Sequence, residues 1–177
     1  MSDDIDPFSR CLAFTWRPNN DGQSLHTTSG DPGGATAWGV TQATWAAWQK
    51  LRPSLPLYVG SATLQQLSDL INAWFWLGAG QGLPPGVDLM VFDFGFGSGP
   101  ATAARQLQAV VGGIAVDGRI GPRTLAAVYA ADAATLCRQL HDTQVGFYQG
   151  LTTFAEFGRG WTRRADDRLA AALAVLQ

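Results

Sequence analysis

The chain has 177 residues, of which 46% are hydrophobic and 15% are charged, a composition typical of a globular protein and not of a disordered one. This length allows one domain, or one domain with a small appended subdomain. The formal net charge of −2 provides no broad basic surface, which argues against nucleic acid as a partner. Positive charge is concentrated locally, where an anionic polymer could be held, at four arginines: Arg159, Arg163, Arg164 and Arg168.

The sequence predicts a protein that is made in the cytoplasm without a signal peptide. Residues 1–6 are acidic where a secretory signal is basic, and no apolar stretch follows them. No run approaches the ~20 apolar residues that span a bilayer, so we expect no membrane insertion. Cys11 and Cys137, the two cysteines, lie in apolar helical patterns. This context favours buried free thiols over a disulfide or a metal site.

Helical periodicity runs through most of the chain. Apolar residues recur at the helical period in segments that predict helices over residues 7–16, 41–51, 61–75, 100–111, 134–148 and 160–177. Thr41 and Ser61 are predicted to cap the second and third of these. Pro122 suits the first position of a further helix, which follows a turn. Residues 57–60 are expected to be extended.

Two stretches depart from this amphipathic pattern. Residues 87–96 are too apolar for an exposed helix and predict a buried central helix. Its inner carboxylate, Asp93, then needs hydrogen-bond partners inside the protein. Residues 19–39 are polar and glycine-rich, which predicts a loop or a small β excursion between two helices. Because this stretch is longer than a connection needs to be, we expect it to be functional.

Two segments of this polar stretch, DPGGAT at 31–36 and WGVT at 38–41, resemble the signature of the glycoside hydrolase 108 family. That family comprises lysozyme-like muramidases found in phage endolysins and some bacterial secretion systems. Further segments are similar to the peptidoglycan-binding region that usually follows the signature: residues 93–100, 105–108, 116–125 and 157–164. Together the segments cover nearly the whole chain in the family's order.

The resemblance implies an α+β fold that is mainly α-helical and lysozyme-like, with a small irregular or β lobe and a helical C-terminal region. It implies a catalytic region over 7–86 and a helical peptidoglycan-binding region over 87–177, packed on it as one globule. The implied reaction is lysozyme-type hydrolysis of the β-1,4 bond between N-acetylmuramic acid and N-acetylglucosamine. No cofactor is expected.

The chain departs from the family where the catalytic glutamate belongs, in a Glu-Gly-Gly-Tyr motif just after the first helix. Here the nearest match is Asp21-Gly22, and the only glutamate in the chain is Glu156. Glu156 lies far from this lobe in sequence, where a surface or capping role is expected. Either Asp21 therefore takes the acid role, or it is an ordinary loop aspartate and the family's chemistry is absent. Two family asparagines are also replaced, by Ala37 and Phe96.

Asp31 and Thr36 match the family at their own positions. The resemblance implies that Asp31 is the second carboxylate or orders the lobe, and that Thr36 holds a water or a sugar hydroxyl. The alternatives are an Asx turn for Asp31 and a backbone-bonded hydroxyl for Thr36. These two residues and Asp21 are the predicted catalytic set.

Four further residues are predicted to bind substrate: Trp38, Gly33, Gly34 and Asp93. The Trp38 ring could stack on a sugar face, and the two glycines let a substrate approach the main chain. His26 could act as a base or a ligand. Because His141 is distant in sequence and no Cys/His/carboxylate spacing is present, we expect no metal site.

Three functional hypotheses follow from the resemblance. The first is a phage-type endolysin that hydrolyses peptidoglycan. The second is a catalytically inactive peptidoglycan-binding protein that has lost the family glutamate, and the third is a secreted antibacterial effector with the same chemistry. In each case the expected partner is the peptidoglycan glycan strand, reached in the periplasm or on the cell wall by a monomer. A holin or a secretion system is needed for export.

Overall fold

The protein is mainly α-helical, with one small antiparallel sheet. The computed structural model describes residues 6–22, 25–27 and 34–177, and of Thr27 only the backbone. The helices are α1 (Pro7–Thr15), α2 (Gln42–Lys50), α3 (Leu64–Ile71), α4 (Leu77–Ala79), α5 (Val87–Ser98), α6 (Pro100–Val111), α7 (Pro122–Ala130), α8 (Ala133–Gln149) and α9 (Phe154–Ala174). The strands are β1 (His26–Thr27), β2 (Ala35–Ala37) and β3 (Val40–Thr41), in the order β1-β2-β3.

The chain forms two compact units. The first contains the described residues up to Cys11 and Phe75–Gln177, and the second contains the described residues of Leu12–Trp74. The predicted division into regions 7–86 and 87–177 stays a prediction. No helix in the described part of the chain is long and apolar enough to cross a membrane.

Helix α5 is the core of the first unit. All its residues from Val87 to Gly95 are buried, and it packs against α6, α8 and α9. Apolar side chains occupy every face of this helix, so it is stable only when other helices surround it. The predicted buried central helix is therefore confirmed. Phe92 stacks with Phe8 and Trp76 at centroid distances of 6.2 and 5.6 Å, which ties α1 to this core.

The second unit is built around α2 and the sheet. Thr41 caps α2 as predicted, since its hydroxyl accepts the Thr44 N–H at 3.2 Å. Trp45 is fully buried, and its indole N–H donates to the Pro56 carbonyl at 2.8 Å. The Gln42 side chain donates to the Leu57 carbonyl and accepts the Val59 N–H, each at 2.9 Å. Helix α2 thus holds the segment that leads into α3.

Three element boundaries differ from the sequence predictions. Residues 57–60 were expected to be extended, but Val59–Ser61 form a 3₁₀ turn. The cap of α3 is Thr63 and not Ser61, because Thr63 and Gln66 form a reciprocal capping box. Helix α9 begins at Phe154 and not at residue 160.

Candidate active site

The small sheet aligns three polar side chains. His26 lies opposite Thr36 in the β1–β2 pair, and Thr36 lies opposite Thr41 in the β2–β3 pair. Directly opposed residues of antiparallel strands project from the same face, so the three side chains form a row across the sheet. The Thr41 hydroxyl is occupied as the cap of α2. Thr36, the predicted catalytic threonine, lies on the central strand and is buried, with 8% of its surface exposed.

His26, which the sequence offers as a possible base or ligand, lies beside Thr36 in the sheet. Its Nδ1 atom is buried and has no hydrogen-bond partner among the described residues. A buried ring nitrogen without a partner costs free energy unless a ligand or water satisfies it. His26 therefore belongs to the candidate site by position, which only the strand register reveals.

Asp21 lies in a tight turn that folds back on the end of α1. Its backbone N–H donates to the Thr15 carbonyl at 3.0 Å, and the Gly22 N–H donates to the Arg17 carbonyl at 3.0 Å. The Asn20 side chain donates to the Phe14 carbonyl at 2.9 Å. The Phe14 and Thr15 carbonyls are among the last four of α1, which have no partner within the helix. These bonds fix the backbone of Asp21, which is half-buried, directly after α1.

Gly22 is required by this turn. A Cβ atom at Gly22 would lie 2.1 Å from the Trp16 carbonyl oxygen and 2.7 Å from the Arg17 carbonyl carbon. Both are backbone atoms, which cannot move aside without displacing the turn. Any larger residue at position 22 would therefore clash with the backbone at the end of α1.

Trp38 lies in the two-residue turn between β2 and β3. Its φ is +50° and that of Gly39 is +77°, so both central residues have the positive φ of a type I′ turn. Trp16 supports the turn: its indole N–H donates to the Trp38 carbonyl at 3.1 Å, and the two ring centroids are 5.3 Å apart. Trp38 is half-buried, and the predicted contact of its ring with a sugar stays a prediction.

The remaining predicted residues of the polar lobe are less completely described. Gly34 has a φ of +72°, a conformation that favours glycine. Asp31 and Gly33 lie outside the described residues. The second unit thus contains Asp21, Thr36, Gly34 and Trp38, and the catalytic and substrate-binding roles of all these residues stay predictions.

Asp93 lies in the first unit and is completely buried. Arg164 donates from Nη2 and Nε to its two oxygens at 2.7 and 3.1 Å, and Arg168 donates from Nη1 at 2.7 Å. Burial alone would raise the pKa of Asp93, but the two guanidinium charges outweigh burial and hold this pKa well below its ordinary value. The predicted need for internal partners is thus confirmed. A substrate could reach Asp93 only if this ion pair opened, so its substrate-binding role stays a prediction.

The Asp93 cluster, which consists of Asp93, Arg164, Arg168 and Gln144, joins three helices. Arg168 on α9 also donates to the Gln144 side chain on α8 at 2.6 Å, and Gln144 donates to the Met90 carbonyl on α5 at 3.0 Å. Both Arg168 and Gln144 are buried. Two of the four arginines noted near the end of the sequence, Arg164 and Arg168, therefore bind an internal carboxylate.

Glu156, the only glutamate of the chain, is exposed in the first turn of α9. A negative charge near a helix N-terminus interacts favourably with the helix dipole, which accounts for this position. In the described part of the chain, no three His, Cys, Asp or Glu side chains come close enough to hold a metal ion.

Comparisons with known proteins cover both parts of the chain. The family profile described as "Glycosyl hydrolase 108" matches residues 20–99, and the one described as "Predicted Peptidoglycan domain" matches residues 102–166. Nine chains of solved structures match. One of them, SagA of Brucella abortus, is 37% identical, with 95% of this chain and 94% of that chain covered and a TM-score of 0.84. No curated protein matches the chain. The predicted lysozyme-like, mainly helical fold is confirmed.

Proposed function

Because the chain belongs to the glycosyl hydrolase 108 family, we propose that it is a muramidase, which cleaves the β-1,4 bond between N-acetylmuramic acid and N-acetylglucosamine. A peptidoglycan-related hydrolase or binding function follows from the two family matches. The observation that carries the proposal is the ordered Asp21-Gly22 turn directly after α1. This is where the resemblance to the family implies the catalytic acid.

In this proposal Asp21 protonates the glycosidic oxygen. The acid of a lysozyme-type site must hold its proton near neutral pH, and a second carboxylate either attacks the anomeric carbon or activates the water that attacks it, as the bond to the protonated leaving oxygen breaks. Asp31 supplies the second carboxylate, and Thr36 holds the water or a sugar hydroxyl. Aspartate is one methylene shorter than glutamate, so the turn must bring the substrate closer to the main chain. Gly22 supports this position of Asp21 by letting the turn pack against the Trp16 and Arg17 carbonyls.

One observation favours a second candidate, a peptidoglycan-binding protein without catalytic activity. The only glutamate of the chain is exposed on α9, outside the unit that contains Asp21 and Thr36. If an aspartate cannot replace the family's acid, the fold binds the wall without cutting it.

The proposed substrate decides where the protein acts. Peptidoglycan lies in the periplasm or on the cell wall, so the protein works there after release by a holin or a secretion system. A phage endolysin and a secreted antibacterial effector would use the same chemistry. Lysis of the producing host with a holin supports the endolysin, whereas toxicity to neighbouring cells that an adjacent immunity gene relieves supports the effector.

Muropeptide release from purified sacculi tests the proposed reaction. We expect the wild type to release fragments with N-acetylmuramic acid at the reducing end, and Asp21→Asn and Asp31→Asn to release none. Asp167→Asn is the matched control, since Asp167 is an exposed carboxylate on α9. If the wild type sediments with sacculi but releases nothing, the binding protein is the correct function. If it neither binds nor cleaves sacculi, both candidates are wrong.

A further inference from the structure

The turn between α6 and α7 encloses a pocket of about 410 Å³ that the proposed reaction does not use. Its lining includes Gln108 from α6, Asp117 and Arg119 from the turn, and Arg123 and Thr124 from the start of α7. The remaining walls are small or aliphatic, and none of the lining residues is aromatic. The pocket lies in the first unit, within the segment that the peptidoglycan domain profile matches.

Gln108 makes the pocket rigid. This side chain is buried, and its amide nitrogen donates to Asp117 Oδ1 at 2.8 Å, to the Arg119 carbonyl at 2.9 Å and to Thr124 Oγ1 at 3.2 Å. Its carbonyl oxygen accepts the Gly118 N–H at 2.9 Å. Both N–H groups of the Gln108 amide are engaged, one of them shared between two acceptors, and its oxygen accepts one bond, so a single side chain holds the turn against α7. A wall held in this way binds a ligand with little cost of ordering.

The free charges of the pocket favour an anion. Arg119 and Arg123 are exposed, and neither forms an ion pair with another described residue. Asp117 is the opposing charge, because the hydrogen bonds from Gln108 and from the Arg119 N–H lower its pKa and keep it ionised. Its Oδ1 oxygen is occupied by both of these bonds. Two guanidinium groups against one engaged carboxylate leave the lining with a net positive charge.

The start of α7 adds to this preference. Pro122 occupies the first position, and the preceding Gly121 has no side chain to cap the helix. The N–H groups of the first turn, which include those of Arg123 and Thr124, lack partners within the helix. Such groups favour a negatively charged ligand.

We infer that this pocket binds the peptide stem of peptidoglycan through a free carboxylate. Guanidinium groups pair with carboxylates through charge-assisted hydrogen bonds, and stem peptides carry free carboxylates. The aliphatic walls, Ile114, Ala115 and Pro122, suit alanine methyl groups. The glycan is a poorer ligand for this pocket, because a sugar ring would find no aromatic face in the lining. The inference rests on the proposed function only in taking peptidoglycan as the target.

Calorimetric titration of the full chain tests the inference. The probes are a synthetic stem tetrapeptide with free carboxylates, the same peptide fully amidated, and a chitin oligosaccharide. We expect the wild type to bind the free acid at least about tenfold more tightly than the amide, the effect of losing one charge-assisted contact. Arg119→Gln and Arg123→Gln should each weaken binding about tenfold, and Arg138→Gln, an exposed arginine outside the pocket lining, should bind like the wild type.

Three results would overturn the inference: no binding of the tetrapeptide by the wild type, equal binding of the acid and the amide, or unchanged binding by the double variant Arg119→Gln/Arg123→Gln. A cooperative thermal unfolding transition in each variant shows that the variant is folded before heating. Cleavage of peptide-free glycan strands separates the two proposals. Cleavage without peptide binding overturns only the inference, whereas arginine-dependent peptide binding without cleavage overturns only the hydrolase.

Discussion

Asp93 and Arg168 form an ion pair at 2.7 Å in which both side chains are fully excluded from solvent. Asp88, on the same helix, is also buried and pairs with Arg10, whose side chain is 27% exposed. The two carboxylates have opposite pKa shifts. Burial raises the pKa of Asp88 because one partly exposed arginine does not offset it, whereas Arg164 and Arg168 together lower the pKa of Asp93. The pKa of the carboxylate with one guanidinium partner is thus dominated by burial, and that of the carboxylate with two partners by the arginine charges.

The Asp93 cluster makes stability depend on pH. The folded-state pKa of Asp93 lies below the unfolded value of about 4, so ionised Asp93 stabilises the fold above that pH, and this contribution is lost as the pH falls toward the folded-state pKa. We expect Asp93→Asn to lower the free energy of unfolding by about 3–5 kcal/mol at pH 7, because the buried Arg168 and the partly buried Arg164 lose their counter-charge. Below about pH 4 the difference from the wild type should shrink.

Urea unfolding of both proteins between pH 7 and pH 3 measures this difference. Asp167→Asn controls for removal of an exposed carboxylate from the same protein. A difference that stays constant over the whole range would show that Asp93 is not held as an ionised group in the fold.

The turn that holds Asp21 gives a second prediction. Gly22→Ala places a methyl group 2.1 Å from the Trp16 carbonyl oxygen, so the turn must shift and Asp21 must move with it. We expect a loss of about 1–3 kcal/mol in the free energy of unfolding, as for other overpacked sites, and a loss of muropeptide release. Gly146→Ala is the control, because Gly146 lies within α8 with open space around it and should gain about 0.5–1 kcal/mol. Unimpaired release by Gly22→Ala would remove Asp21 from the proposed site.

Local rules in the sequence predict much of this fold. The unbroken apolar run at 87–96 predicts the central helix because no polar face is left for solvent. Thr41 is recognisable as a cap because its hydroxyl can reach the first turn of α2. The buried carboxylate of Asp93 requires partners, but no local pattern shows that these lie 71 and 75 residues further along the chain.

The errors arise where tertiary packing decides between local alternatives. Gly158 and Gly160 suggest that α9 starts late, yet Gly158 is buried within the helix, where a Cβ would lie 2.5 Å from the Phe154 ring. The position of His26 opposite Thr36 could not be predicted either, because it depends on strand register. Registers and helix pairs are set by contacts between distant residues, which a single sequence does not display.

The two cysteines give a third prediction. Cys11 and Cys137 are buried and form no disulfide, as the sequence predicts, and burial raises the pKa of Cys137 to about 12 and that of Cys11 as well. Because the thiolate is the reactive form, neither residue should react with a disulfide reagent in the native protein at pH 8. Two thiols per chain should react after denaturation in urea. Rapid labelling of a native thiol would show that one of these sites opens to solvent.

The last prediction concerns Trp38, whose contribution to stability and whose contribution to glycan binding can be measured separately. A tryptophan at a φ of +50° carries backbone strain, which the hydrogen bond and ring contact with Trp16 help to offset. Trp38→Asn keeps a residue that tolerates positive φ, so the free energy of unfolding should stay near that of the wild type while affinity for a chitin oligosaccharide falls. Trp16→Phe removes the indole donor and should lower the free energy of unfolding by about 1 kcal/mol. Calorimetric binding and urea unfolding of both variants distinguish the two effects. If Trp38→Asn retains full affinity, the Trp38 side chain does not contact the glycan, and its role is confined to the turn.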